Sequence, residues 1–231
     1  MASEDISLDG TFQLRSRGSG WATVVAGDGD VFNGSAAGAR IDYIQNDDGG
    51  GAFTIDRVHF RFDVGSNIPA DATITAVSLF LYTDNALQNI TDSAYLQSKI
   101  AKATSTTLDN TGTAATTWDA IDTSVLHGDF VTVSTTDDQE NEFDFGSGDL
   151  FDYVVAQHAA GEKAAFWHVT KLELDVTAPT GMNMNHWNWT TDSNPPKLTV
   201  TFTPAPAPPN KKLKITGGSV KISSGNLKIK G

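Results

Sequence analysis

The chain of 231 residues contains no cysteine. Disulfide scaffolds and cysteine-ligated metals are therefore excluded. No stretch of 18 apolar residues occurs, so no membrane-spanning helix and no membrane partner is expected. The opening residues, Met1-Ala-Ser-Glu-Asp5, have neither a basic start nor an apolar run, and no secretory leader is expected. Basic residues are scarce: 16 Lys+Arg stand against 28 Asp+Glu, for a formal charge of −12. Six of the lysines fall in residues 211–231, which hold no acid. Residues 1–210 then carry 10 basic and 28 acidic groups, a net −18. So acidic a body repels polyanions, which argues against nucleic acid as a partner.

Catalytic signatures are also missing. The chain has no Gly-x-Ser-x-Gly elbow, no phosphate loop and no dinucleotide fingerprint. The five histidines, at 59, 127, 158, 168 and 186, show no metal-binding spacing. His168 and His186 each sit beside Trp in expected strands, where a shared zinc is conceivable but ordinary strand positions are favoured. Carboxylate pairs abound in an acidic chain and carry no weight as glycosidase chemistry. The chain is expected not to be an enzyme and to need no cofactor.

What the chain does have is strand after strand. Alternation and β-branched enrichment between turn signals predict strands over 12–16, 21–25, 40–44, 57–63, 73–82, 94–101, 129–133, 142–145, 165–169, 185–189 and 197–202. In 57–63, Val58, Phe60 and Phe62 are expected inward, with His59 and Arg61 outward. Core positions by the same rule are Ile74, Leu79, Leu81, Leu198 and Val200. One helix is expected over 150–159, with Leu150, Tyr153 and Val154 on its apolar face and Ser147 or Asp149 as its cap. The expected fold is all-β: a jelly-roll β-sandwich with one short helix, plus a C-terminal β-repeat tail.

Three segments follow. Residues 1–203 form the sandwich domain, 204–210 (Pro-Ala-Pro-Ala-Pro-Pro-Asn) a stiff proline-rich linker, and 211–231 the tail. The tail repeats every seven residues: Leu213, Val220 and Leu227 share a phase, as do Lys214, Lys221 and Lys228, and Ile215, Ile222 and Ile229. Each unit is a short strand, apolar on one face and basic on the other, set off by glycines. Six aliphatics are too few to offset the backbone entropy of ordering such a segment alone. Leu213, Ile215, Val220, Ile222, Leu227 and Ile229 are therefore expected at an interface with other chains. A homo-oligomer is expected, with a trimer the first geometry, its tails wound so that aliphatics face inward and lysines outward.

Two weaker ligand signals remain. Asp28, Asp30 and Asn33 place oxygens at alternate positions, as in half of a calcium loop, but the bidentate Glu that completes such a loop is missing. No metal is expected, and calcium in this loop is a weak candidate. Trp167, Trp187 and Trp189 are the side chains best suited to stack on sugar rings, with core packing the commoner use of such residues.

The block Arg61-Phe-Asp-Val-Gly-Ser-Asn-Ile-Pro-Ala-Asp-Ala-Thr-Ile-Thr-Ala-Val-Ser-Leu-Phe-Leu-Tyr82 resembles the DNRLRE-type β-sandwich domain, a family that groups with carbohydrate-binding modules. Thr116-Thr-Trp-Asp119, Glu142-Phe-Asp-Phe145 with the following helix, and Asn194-Pro-Pro-Lys-Leu-Thr-Val-Thr-Phe-Thr-Pro204 resemble later segments of that family in the same order. The likeness spans roughly residues 5–204. It implies a jelly-roll sandwich of the kind found in adhesins, secreted modular proteins and viral structural proteins, and implies no catalytic residues. Gly- and Asp-rich first hairpins depart from the family pattern. Two functions are expected from different classes. The first is a structural protein of a larger assembly, a phage or viral virion component (capsid decoration, head fibre or tail) that meets other virion proteins. The alternative is a carbohydrate-binding or adhesin module that meets a surface glycan outside the cell.

Overall fold

The computed structural model describes residues 1–27, 30–32, 41–46, 52–83, 92–104, 121–136, 138–180, 182–186 and 193–206. For residues 11–15, 17, 30–32, 41–46 and 182–186 the description is of the backbone course alone. Within these bounds the chain is all-β, antiparallel and sandwich-like, with a few short helices.

The first strand, β1 (Ala2–Gly18), belongs to two sheets. Its first half pairs with β12 (Lys197–Thr203), with Ala2 opposite Phe202 and Ser7 opposite Lys197. Its second half pairs with β4 (Phe53–Phe62), with Leu8 opposite Phe62 and Gly18 opposite Phe53. The register slips between Leu8 and Gly10, leaving Asp9 unpaired. Such a bulge bends a strand and increases its twist. Beyond β12 the first sheet continues through β5 (Thr73–Tyr82) to β9 (Glu140–Asp144). The second sheet runs from β4 through β10 (Ala164–Thr170) and β6 (Gln97–Ala103) to β7 (Ile121–Leu126) and β8 (Val131–Thr132). On its other side β3 (Ile41–Asn46) joins β4 and β11 (Met182–His186), while β2 (Asp30–Phe32) pairs with β1.

The main core lies between the sheets. Ile6, Val77, Leu79, Leu81, Phe143, Leu198 and Val200 of the first meet Val58, Phe60, Phe62, Ile100 and Phe166 of the second. All eight core positions named from the sequence lie in this cluster. Helix α3 (Asp149–Ala160) adds Leu150 and Val154. Its Tyr153 is partly buried, and its hydroxyl accepts the Ala165 N–H at 3.0 Å. The residue at its N-terminal boundary is Gly148, with no side-chain cap; Asp149 is already the first helical residue, where its charge suits the helix dipole.

Two further sequence expectations are corrected, for residues 21–25 and for His59. Residues 21–25 form a one-turn helix, α1 (Trp21–Val25), rather than a strand. Helical spacing puts Trp21 and Val24 on one face, and burying both against the second sheet overrides the β preference of Val and Thr. The turn after Asp63 is also helical, α2 (Val64–Asn67), and the Asp63 carboxylate accepts the Ser66 N–H at 2.9 Å. His59 does point away from the main core, but only 1% of it is exposed. The outer face of the second sheet carries its own apolar layer. There Ile55, Ala101, Ala165, Trp167 and Val169 are covered by Trp21, Val24, Tyr95 and Leu172. All seven residues of β10 are consequently buried.

A candidate binding cavity over a buried ion pair

The outer layer ends in a cavity of about 540 Å³. Val25 of helix α1 and the following Ala26 contribute to its wall, and β7 supplies Ile121, Thr123 and Leu126. The floor comes from Arg57 of β4 and Val169 of β10. The last side is α4 (Lys171–Leu174), with Glu173, Leu174 and the following Val176.

Arg57 and Glu173 form a buried ion pair. Arg57 Nε donates to Glu173 Oε1 at 2.6 Å, and the two side chains are 8% and 2% exposed. Arg57 Nη2 also donates to the Val25 carbonyl at 3.4 Å. The other carboxylate oxygen, Glu173 Oε2, accepts the Thr170 N–H at 3.0 Å and the Thr170 hydroxyl at 3.1 Å. Thr170 and Glu173 thereby make a capping box at the start of α4. Both oxygens of Glu173 are engaged, so its place is fixed from two sides and it in turn fixes Arg57. A buried charge pair of this kind tolerates loss of one partner poorly.

Val176 stands at the cavity rim in the left-handed region, with φ 51°, and is 50% exposed. A β-branched residue with positive φ is a backbone outlier. It follows directly from how α4 ends: Thr177 N–H bonds the Leu172 carbonyl at 2.9 Å, and Val176 N–H bonds the Glu173 carbonyl at 3.2 Å. This pair of bonds is the Schellman ending, which forces a left-handed residue and ordinarily uses glycine there.

The residues singled out in the sequence fall differently. Trp167 is fully buried, its ring against that of His59 (centroids 5.0 Å apart), so it has no face left for a sugar. Trp187 and Trp189 lie outside the described residues, as do Asp28, Asn33 and the six tail aliphatics Leu213, Ile215, Val220, Ile222, Leu227 and Ile229. Asp30 begins β2, opposite Arg15. The strands of His168 and His186 are not neighbours: β10 adjoins β4 and β6, whereas β11 adjoins β3. The His168 ring meets Phe143 edge-on instead, in the main core. Among the described residues no group of three or more His, Asp or Glu gathers as a metal site.

His59 itself is perturbed: burial, with the nearby Arg61 charge, pushes its imidazole down to about 3. The cavity escaped sequence reading because Arg57 and Glu173 are 116 residues apart. The Thr170-x-x-Glu173 spacing was the available signal, since it marks a helix start.

The outer face of the first sheet is polar and acidic. Asp5 accepts from the Thr199 hydroxyl at 2.6 Å and from Lys197 at 3.0 Å, and these bonds hold its carboxyl below the usual range. Ser78 donates to Glu142 at 2.8 Å, and Tyr82 donates to Glu140 at 2.6 Å. Burial and the bond to Glu140 push the Tyr82 phenol upward. Glu140, Glu142 and Asp144 are the exposed positions of β9, alternating with buried Asn141 and Phe143.

No protein-family model matches this chain, and no curated protein is significantly similar to it. The likeness to DNRLRE-type sandwiches rests on the residues quoted for it alone.

Proposed function

We propose that this chain is a non-catalytic structural protein of a larger assembly, with a virion as its setting, joined to its neighbours through residues 211–231. The observation that carries this is the segregation of charge and pattern along the chain. A net −18 over residues 1–210 is followed by six lysines and six heptad-phased aliphatics in 211–231. Opposite charges on body and tail favour contact between copies. The acidic outer face of the first sheet, where Asp5, Glu140, Glu142 and Asp144 outnumber Lys197, supports the same reading. So does the shape of β9, which places acids at every outward position, with Asn141 and Phe143 buried between them.

The experiment is deletion of residues 205–231, with molar mass read by light scattering. The full chain should be an oligomer, and the truncated chain a folded monomer with the same far-ultraviolet dichroism. A truncated chain that keeps the oligomeric state would sink the proposal.

A further inference from the structure

Beyond an assembly role, the geometry points to a second property: the cavity between α1, β7 and α4 is a binding site for a small neutral molecule with an aliphatic body and a hydrogen-bond-accepting head. Its volume of about 540 Å³ falls in the range of small-molecule pockets, roughly 300–1,000 Å³. Among the described residues its apolar wall is aliphatic, from Ile121, Leu126, Val169 and Leu174 among others. An alkyl group would find side chains of its own kind there.

The polar part of the wall selects the head group. It consists of Arg57, Glu173 and Thr123. Glu173 spends both oxygens on Arg57 and Thr170, so the carboxylate acts as a brace rather than as an acceptor for a ligand. The remaining polar groups of the wall are the Arg57 guanidinium, which donates to Glu173 and Val25 and carries five N–H groups in all, and Thr123, whose hydroxyl can donate or accept. Arg57 is already neutralised at 2.6 Å. A bound anion would therefore leave a net negative charge in a half-enclosed site of an acidic protein, and a cation would face Arg57. A neutral carbonyl or hydroxyl oxygen matches both constraints.

Val176, half exposed and held at φ 51° by the ending of α4, offers a branched apolar side chain at the rim. Val176 lies on the cavity wall.

The test is titration of the full-length chain, labelled with nitrogen-15, using 1-octanol, octanoate and octylammonium in turn. Octanol should bind saturably and shift the amides of Val25, Leu126, Val169, Leu174 and Val176. Octanoate and octylammonium should bind at least tenfold more weakly. Thr123 and Ala26 are exposed on the rim, so Thr123→Trp and, from the opposite wall, Ala26→Phe fill the space without entering the core. Each should weaken octanol tenfold or more while leaving the melting temperature unchanged. No saturable octanol binding, or binding unaffected in both variants, overturns the site. Octanoate binding as tightly as octanol overturns the neutral head group. The described residues of the cavity wall all lie between positions 25 and 176, and light scattering of the same samples reads the oligomeric state separately.

Discussion

Val176 and Gly161 occupy the same position of the same helix-ending motif. At the end of α3, Glu162 N–H bonds the Gln157 carbonyl at 2.9 Å and Gly161 N–H bonds the His158 carbonyl at 3.0 Å. At the end of α4, Thr177 and Val176 make the equivalent bonds to Leu172 and Glu173. Both middle residues are left-handed, with φ 71° for Gly161 and φ 51° for Val176. Glycine adopts this conformation freely, whereas valine does so against its own Cβ.

The first prediction exploits that contrast. The left-handed conformation costs an L residue roughly 1–2 kcal/mol. Glycine in its place raises unfolded-state entropy by an equivalent of about 0.4–1 kcal/mol. Val176→Gly should therefore stabilise the protein by about 0.5–1 kcal/mol, and Gly161→Ala should destabilise it by about the same amount. Urea unfolding of the two variants checks the opposite signs. Destabilisation by Val176→Gly would show that the valine packs productively after all.

The second concerns Gly65, whose N–H bonds the Glu162 carbonyl at 3.0 Å. A Cβ there would sit 2.3 Å from the Gly161 carbonyl carbon and 2.5 Å from its oxygen. These are backbone atoms, which cannot swing aside. Gly65→Ala should cost about 2–3 kcal/mol, at the upper end for one added methyl. A thermal scan showing no loss would mean that α2 slides away from the end of α3 freely.

The third concerns the ion pair. Arg57→Met leaves Glu173 buried without its cation and should cost about 3–5 kcal/mol. Replacing both residues by Met removes the unpaired charge and should recover a substantial part of that loss. Recovery cannot be complete, because Glu173 also caps Thr170. Chemical denaturation of the two singles and the double gives the cycle. Additive costs would show that the two charges do not stabilise each other.

The fourth is a pH dependence. His59 titrates at about 3 in the folded protein and near 6.5 unfolded. Between those values the unfolded state binds the extra proton, so stability rises with pH and is lost on acidification through this window. From pH 7 to pH 5 His59 should account for a loss of about 2 kcal/mol. Asp5 and Asp122, whose carboxyls are held low chiefly by the Thr199 and Ser124 hydroxyls, lose their contribution only at lower pH, below about 4. Urea midpoints at pH 7 and 5 for the wild type and His59→Phe isolate the term. An equal pH slope in both proteins would show that another group carries it.

How much of this was legible in the sequence differs by element. The main core was, because Val58, Phe60 and Phe62 alternate and a one-residue slip would expose all three. Helix α3 was, because its apolar positions recur at helical spacing beside acidic first-turn residues. The second apolar layer was not. Alternation alone puts His59 and Arg61 on a solvent face, and α1, Tyr95 and Leu172 arriving from distant sequence turn the His59 part of that face into an interior. The first half of β1 was missed as well: Ser3, Glu4 and Asp5 are three polar residues in a row without strand alternation, and pairing with β12 makes them a strand. The cavity depends on four separate segments meeting, which no local pattern encodes.

The bulge at Asp9 that passes β1 from one sheet to the other has a temporal consequence. Residues 2–7 leave the ribosome well before their partner, residues 197–202, is made. Strand β12 also sits between β1 and β5, so the first sheet has a gap at its centre until it arrives. The second sheet draws on β1, β4, β6 and β10, all available earlier. Synthesis thus leaves one layer buildable and the other waiting, with the inward faces of Leu79, Leu81 and Phe143 uncovered in the interval. Closure over such a sequence separation is entropically slow. The final strand of the body therefore acts as its keystone, and a chain stopped short of Lys197 remains half a sandwich.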